Sequence, residues 1–143
     1  MTAANTYSEA FSDSGLNPDY QRRDKLLGLE VIWNDDNADD ALSVEFIPLL
    51  VLEKLFEERF IDPADRQNAS PTARQFLEFM RKYPVTVAHG YVIGPDRPDA
   101  RITIEGLHVH ANDVTPDLEH AFNDLCHTAD ELMMDGDLYS WWD

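Results

Sequence analysis

One cysteine, Cys126, stands in the whole chain of 143 residues, so no internal disulfide framework is available and burial and hydrogen bonding must hold the fold. The six glycines are few and scattered, and the chain has no Walker loop, dinucleotide fingerprint, nucleophile elbow or paired CxxC motif. Long apolar runs are missing as well. The longest, Phe46 to Leu52, is broken by Pro48 and falls far short of the roughly 20 residues a membrane-spanning helix needs. The opening MTAANTYSEAFSDSG lacks both the basic start and the apolar stretch of a secretory signal. These absences lead to the expectation of a soluble, cytoplasmic protein with no membrane partner.

Positive charge is scarce too. Lysine occurs three times against eight arginines, aspartate outnumbers glutamate eighteen to ten, and the formal net charge is −17. Such a surface repels phosphate backbones and acidic lipid. Short carboxylates with few lysines also match the style of salt-in halophiles, where concentrated salt screens the self-repulsion. On that reading the acidity describes the solvent and the argument against nucleic acid weakens. The rival readings are a merely acidic protein and an acidic face that meets a basic partner.

What is present supports one domain, since a chain of this length can bury most of its apolar surface. Residues 1–24 are polar, small or charged without sustained periodicity, and are read as a disordered or loosely attached segment before a domain over residues 25–143. In LLGLEVIW, Leu27, Leu29 and Val31 alternate with other residues as in a half-buried strand. NDDNADD, residues 34–40, is oxygen-rich like a calcium loop, but no glycine holds the sixth position, and a solvated turn is expected.

Leu49, Leu52, Phe56 and Phe60 form a helical stripe that predicts a helix over 48–60, with Val44 to Ile47 extended before it. A second helix is predicted from Ser70 as cap and Pro71 as first helical residue, through Ala73, Phe76, Leu77 and Met80, to a stop at Pro84. VTVAHGYVIG and RITIEGLHVHA, joined by PDRPDA, read as a β-hairpin. Ile102 and Ile104 are one position out of phase with Leu107 and Val109, which makes Gly106 a candidate β-bulge. Thr115 as cap and Pro116 then start a last helix whose apolar stripe runs on through Leu132 and Met133 to Gly136. The predicted fold is α+β: a small, partly antiparallel sheet of three strands or more, with about three helices packed on it, in the order β-α-α-β-β-α.

Chemistry has few places to sit. His108 and His110, two apart in a strand, would share a face about 6.6 Å apart and could bind one zinc-like transition metal, with His89 near Gly106 as third ligand. No other cofactor is expected. His120, Asp124, His127 and Glu131 would form a polar stripe on the last helix, and Cys126 is expected to be a buried, inert thiol. The helix ending at Tyr83 and the hairpin after it also resemble a winged-helix DNA reader offering Arg74, Gln75, Arg81 and Lys82. Tyr139, Trp141 and Trp142 are candidate partner-binding residues, because aromatic anchors dominate interfaces. The leading expectation is a non-catalytic protein-interaction or accessory module, with another protein or a second copy in a homo-oligomer as partner. Its alternatives are a metal-binding protein or metalloenzyme, an acidic immunity or decoy protein for a basic partner, and the DNA binder.

Overall fold

The structure, a computed structural model, describes residues 15–143; the expectation for residues 1–14 lies outside that range. The fold is α+β. Among the described residues there are four α-helices, α1 (Tyr20–Leu26), α2 (Leu49–Glu57), α3 (Ala73–Lys82) and α4 (Pro116–Cys126). Five strands accompany them: β1 (Ala41–Ile47), β2 (Val87–Ile93), β3 (Ile102–Val109), β4 (Glu131–Met133) and β5 (Leu138–Trp141). They form one antiparallel sheet in the order β1-β2-β3-β5-β4. No helix among the described residues is long and apolar enough to cross a membrane.

The start of the fold differs from the expectation. Residues 20–24, placed by the sequence pattern in a loose segment, lie in α1, which Asp19 caps by accepting from the Arg22 amide. Arg23 is fully buried. It pairs with Asp24 at 2.9 Å and donates to the Ile93 carbonyl at 3.1 Å, while the Trp33 indole donates to the other Asp24 oxygen at 2.7 Å. This network pins α1 to the end of β2. Residues 27–33 are not a strand: Gly28, at φ +71, turns the chain, and Leu27, Leu29 and Trp33 pack on the core from irregular backbone. The edge of the sheet is taken instead by β1, after the solvated turn 34–40 in which Asn34 and Asn37 bind neighbouring backbone groups.

Helix α2 begins one residue later than expected, with Pro48 as its cap, and ends at Glu57. Arg59, at φ +62, reverses the chain so that Phe60 donates its amide to Leu55 and is buried outside the helix. Helix α3 is capped by Thr72, not Ser70: its hydroxyl accepts from the Gln75 amide while the Gln75 side chain accepts from the Thr72 amide, a reciprocal pair that satisfies two otherwise orphaned donors. Thr115 and Pro116 start α4 as predicted. That helix stops at Cys126, however, and the apolar residues that continued its stripe belong to a β4–β5 hairpin turned at Gly136, φ +87. Leu132 and Met133 are exposed on it.

The helices pack on one face of the sheet. Val44, Ala88, Val92, Ile102, Ile104, Leu107, Val109 and Leu138 meet Leu52, Leu55, Phe76, Met80 and Phe122 in one core. The bulge that keeps β3 in phase is where the alternation required it: His89 pairs with Gly106 and Gly90 with Ile104, leaving Glu105 as the extra residue. Trp142 closes the core, fully buried, edge-on to Phe76 at 5.7 Å and donating its indole N–H to Thr128 Oγ1.

Candidate functional site

The opposite face of the sheet carries a cavity of about 450 Å³. Alternation within the strands sends its walls there: Ser43 and Glu45 from β1, Val87, His89 and Tyr91 from β2, His108 from β3, Glu131 from β4, and Tyr139 and Trp141 from β5. Phe46 completes it from a second bulge. The β1–β2 register shifts between Val44 and Ile47, and Phe46 sits there at φ +56 with 65% of its surface exposed. A bulky aromatic in the left-handed region costs on the order of 1 kcal/mol or more, and its burial returns little here.

His89 is the most constrained residue of the cavity. Its Nε2–H donates to the Ser140 carbonyl at 2.8 Å, since a carbonyl only accepts, and its ring stacks on Tyr139 with centroids 5.0 Å apart and planes 7° from parallel. Burial, ahead of the opposing hydrogen bond and Glu45, pulls its pKa below the ordinary histidine value, so the ring is neutral and its Nδ1 carries a lone pair. The ring lies over Gly106. A Cβ at that position would collide with the imidazole and with the Ser140 carbonyl oxygen, so the absence of a side chain makes the berth.

His108 donates Nε2–H to Asp137 Oδ2 at 2.9 Å, and Asp137 Oδ1 accepts from the Ala111 amide at 2.8 Å. Those two bonds, the histidine first, hold the Asp137 carboxyl below its ordinary pKa. His108 also meets Tyr139 edge-on at 6.2 Å and Phe46 at 6.1 Å. Burial first, then the charges of Glu131 and Glu45, push the Tyr139 phenol above its usual value.

The structure therefore separates the expected histidine set. His89 and His108 line one cavity, as strand pairing implied. His110 does not: β3 ends at Val109, and His110 caps a short 3-10 turn by accepting from the Asn112 amide through Nδ1. No group of three or more His, Cys, Asp or Glu that could hold a metal ion occurs among the described residues. Of the aromatic tail, Tyr139 and Trp141 line the cavity whereas Trp142 is core. Glu131 is a cavity residue on β4, away from the His120 and Asp124 pair on α4. His127 donates Nδ1–H to the Asp124 carbonyl at the end of that helix. Cys126 is buried as expected, its thiol pushed up to about 12.

The sequence pattern passed over Glu45, Phe46, Tyr91 and Asp137. The alternations SVEF and HGYVI placed Glu45 and Tyr91 on the face of His89 once the strands were known, whereas Phe46, next to Glu45, reaches that face only through the bulge in β1, which residue spacing does not reveal. Asp137 had no signal, because it reaches His108 from the turn after β4. The DNA-reader expectation also meets a different arrangement. The β2–β3 hairpin lies inside the sheet, each arm paired on its other side, whereas a wing projects free. Gln75 is held in a capping box and Arg81 pairs with Glu53 at 3.2 Å. No protein-family model, curated protein or solved structure matches this chain.

Proposed function

We propose that this chain is a non-catalytic binding module whose working surface is the helix-free face of its sheet. The observation that carries the reading is the cavity itself: five strands converge aromatic and hydrogen-bonding side chains on about 450 Å³ of open space, a volume typical of small-ligand sites. The cost accepted at Phe46 supports it, since strained and exposed residues gather where something binds. The acidic surface is an adaptation to a salty cytoplasm, and the buried lone Cys126 suits a reducing compartment.

The test is a titration of isotopically labelled protein with a mixture of small aromatic, polar and charged fragments, read by amide and indole chemical shifts. The expected shifts cluster on Glu45, His89, Tyr91, Tyr139 and Trp141 and vanish in Tyr139→Ala. Shifts confined to the helices, or none at all, would refute the assignment. A rise in mass that covers the face would instead make a second copy or another protein its occupant, and a zinc titration that broadens His89 and His108 would give the face to a metal.

A further inference from the structure

Resting on the binding-module reading, we infer that the ligand of this cavity is a small organic cation, an ammonium or guanidinium compound, held against Tyr91, Tyr139 and Trp141 with Glu45 and Glu131 as counter-charges. Three observations converge on it. Aromatic rings present a negative face that attracts weakly hydrated cations, and Phe46, Tyr91, Tyr139 and Trp141 supply such rings from three different strands. The two carboxylates on the wall come from opposite edges of the sheet, β1 and β4, so negative charge flanks the aromatic centre. Among the described residues, no lysine or arginine lines the cavity.

The two histidines do not reverse this balance. His89 gives its N–H to the Ser140 carbonyl and is kept neutral by its surroundings, so it adds a lone pair and no positive charge. His108 donates its Nε2–H to Asp137, whose charged form that bond favours, so a carboxylate stands directly against the ring. An anionic ligand would therefore meet two carboxylates with no fixed cation to offset them. A cation meets carboxylates, ring faces and a long-range field set by the net charge of −17. The volume fits a free small molecule better than a folded partner, which would need a broad flat contact area.

The experiment compares choline with its uncharged tert-butyl isostere, which has the same shape and no charge, by chemical-shift titration at one fixed potassium chloride concentration. Arginine amide and a short lysine-rich peptide extend the series. Choline is expected to move the cavity resonances at far lower concentration than the isostere. Glu45→Gln/Glu131→Gln is expected to bind it about tenfold more weakly, roughly threefold per exposed carboxylate. Both positions are exposed, and circular dichroism of the variant checks that it folds.

Equal affinity for choline and the isostere, or an unchanged affinity in the double variant, would overturn the cation while leaving the binding module intact. Binding of the peptide without choline or arginine amide would overturn the small ligand and put a partner's side chain in its place. Silence of the cavity to every probe and every fragment would overturn both readings together.

Discussion

The berth of His89 makes a strict demand on one residue, and Gly106→Ala tests it. An alanine Cβ would meet two obstacles, the imidazole of His89 and the backbone carbonyl of Ser140 on the neighbouring strand. The ring can swing away by giving up its hydrogen bond and its stack on Tyr139, which costs about 1 to 2 kcal/mol together. The carbonyl can retreat only if β5 separates from β3 beside the bond from Trp142 N–H to Glu105 and that from Leu107 N–H to Ser140 Oγ. Overpacking of that kind costs roughly 1 to 3 kcal/mol. The sum is about 3 kcal/mol, and at a slope near 1.5 kcal/mol per molar it lowers the urea midpoint by about 2 M. Urea is the denaturant of choice, because guanidinium is itself a salt and would screen the acidic surface during the measurement. Repeating the substitution in a His89→Ala background separates the two obstacles: the penalty should fall by about 1 kcal/mol, the part owed to the ring. An alanine tolerated within about 0.5 kcal/mol, or a penalty indifferent to His89, would show that the ring does not depend on the missing side chain.

Three further outcomes follow from the same geometry. Cys126, with its thiol at about 12, should react with a disulfide reagent only as fast as the protein opens, so modification at pH 8 should track urea-induced unfolding; rapid labelling of the native state would contradict its burial. The His89 pKa is depressed by folding, so between its folded and unfolded values the unfolded chain binds more protons and stability rises with pH; the contribution is complete above about pH 6.5 and is lost as pH falls through the folded value. His89→Asn should flatten the melting temperature between pH 5 and pH 7.5, and an unchanged slope would assign the effect elsewhere. Thermal melting from about 0.05 M to about 3 M potassium chloride should rise beyond roughly 1 M, where simple charge screening is largely spent; a plateau reached earlier would reduce the acidity to ordinary self-repulsion.

Elements governed by local chemistry were legible before the structure. The Thr115–Pro116 start of α4 and the two arms of the central hairpin depend on caps, β-branched residues and turn residues, which act over a few positions. The bulge was legible for a subtler reason: only one extra residue lets Ile102, Ile104, Leu107 and Val109 share the core, and all four are buried. Strand choice was not local. Residues 27–33 and 41–47 both offer extended, half-apolar segments, and the edge goes to the one that β2 pairs with, while the other packs as coil around the Arg23–Asp24 network. The error on α4 has the same origin. Apolar Leu132 and Met133 fit its helical stripe by spacing, yet β5 needed a partner and took them into a hairpin. For the site, counting back from the loop put His89 beside Gly106, but nothing in the spacing of His108 and His110 revealed that the strand ends between them.

The chain's acidity and its cavity demand different things of a cation, and that difference decides what the face can select. A net charge of −17 attracts every cation, potassium included, and this attraction weakens steeply with salt. If carboxylates alone held the ligand, potassium at molar concentration would displace it. Aromatic walls act otherwise. A ring face competes poorly with the hydration shell of a small hard ion, but a bulky ammonium group sheds little water on entering and also buries its methyl groups against Tyr91, Tyr139 and Trp141. The carboxylates of Glu45 and Glu131 then supply the salt-sensitive part of the affinity and the rings the salt-resistant part. Raising potassium chloride from about 0.15 M to about 2 M should therefore weaken choline binding by no more than about tenfold, close to the loss given by removing both carboxylates. In Glu45→Gln/Glu131→Gln the remaining affinity should fall less with salt than in the parent, because only the diffuse field of the other surface charges is left to screen. A residual affinity that still fell steeply with potassium chloride would mean that the field of the whole surface, and not this face, gathers the cation.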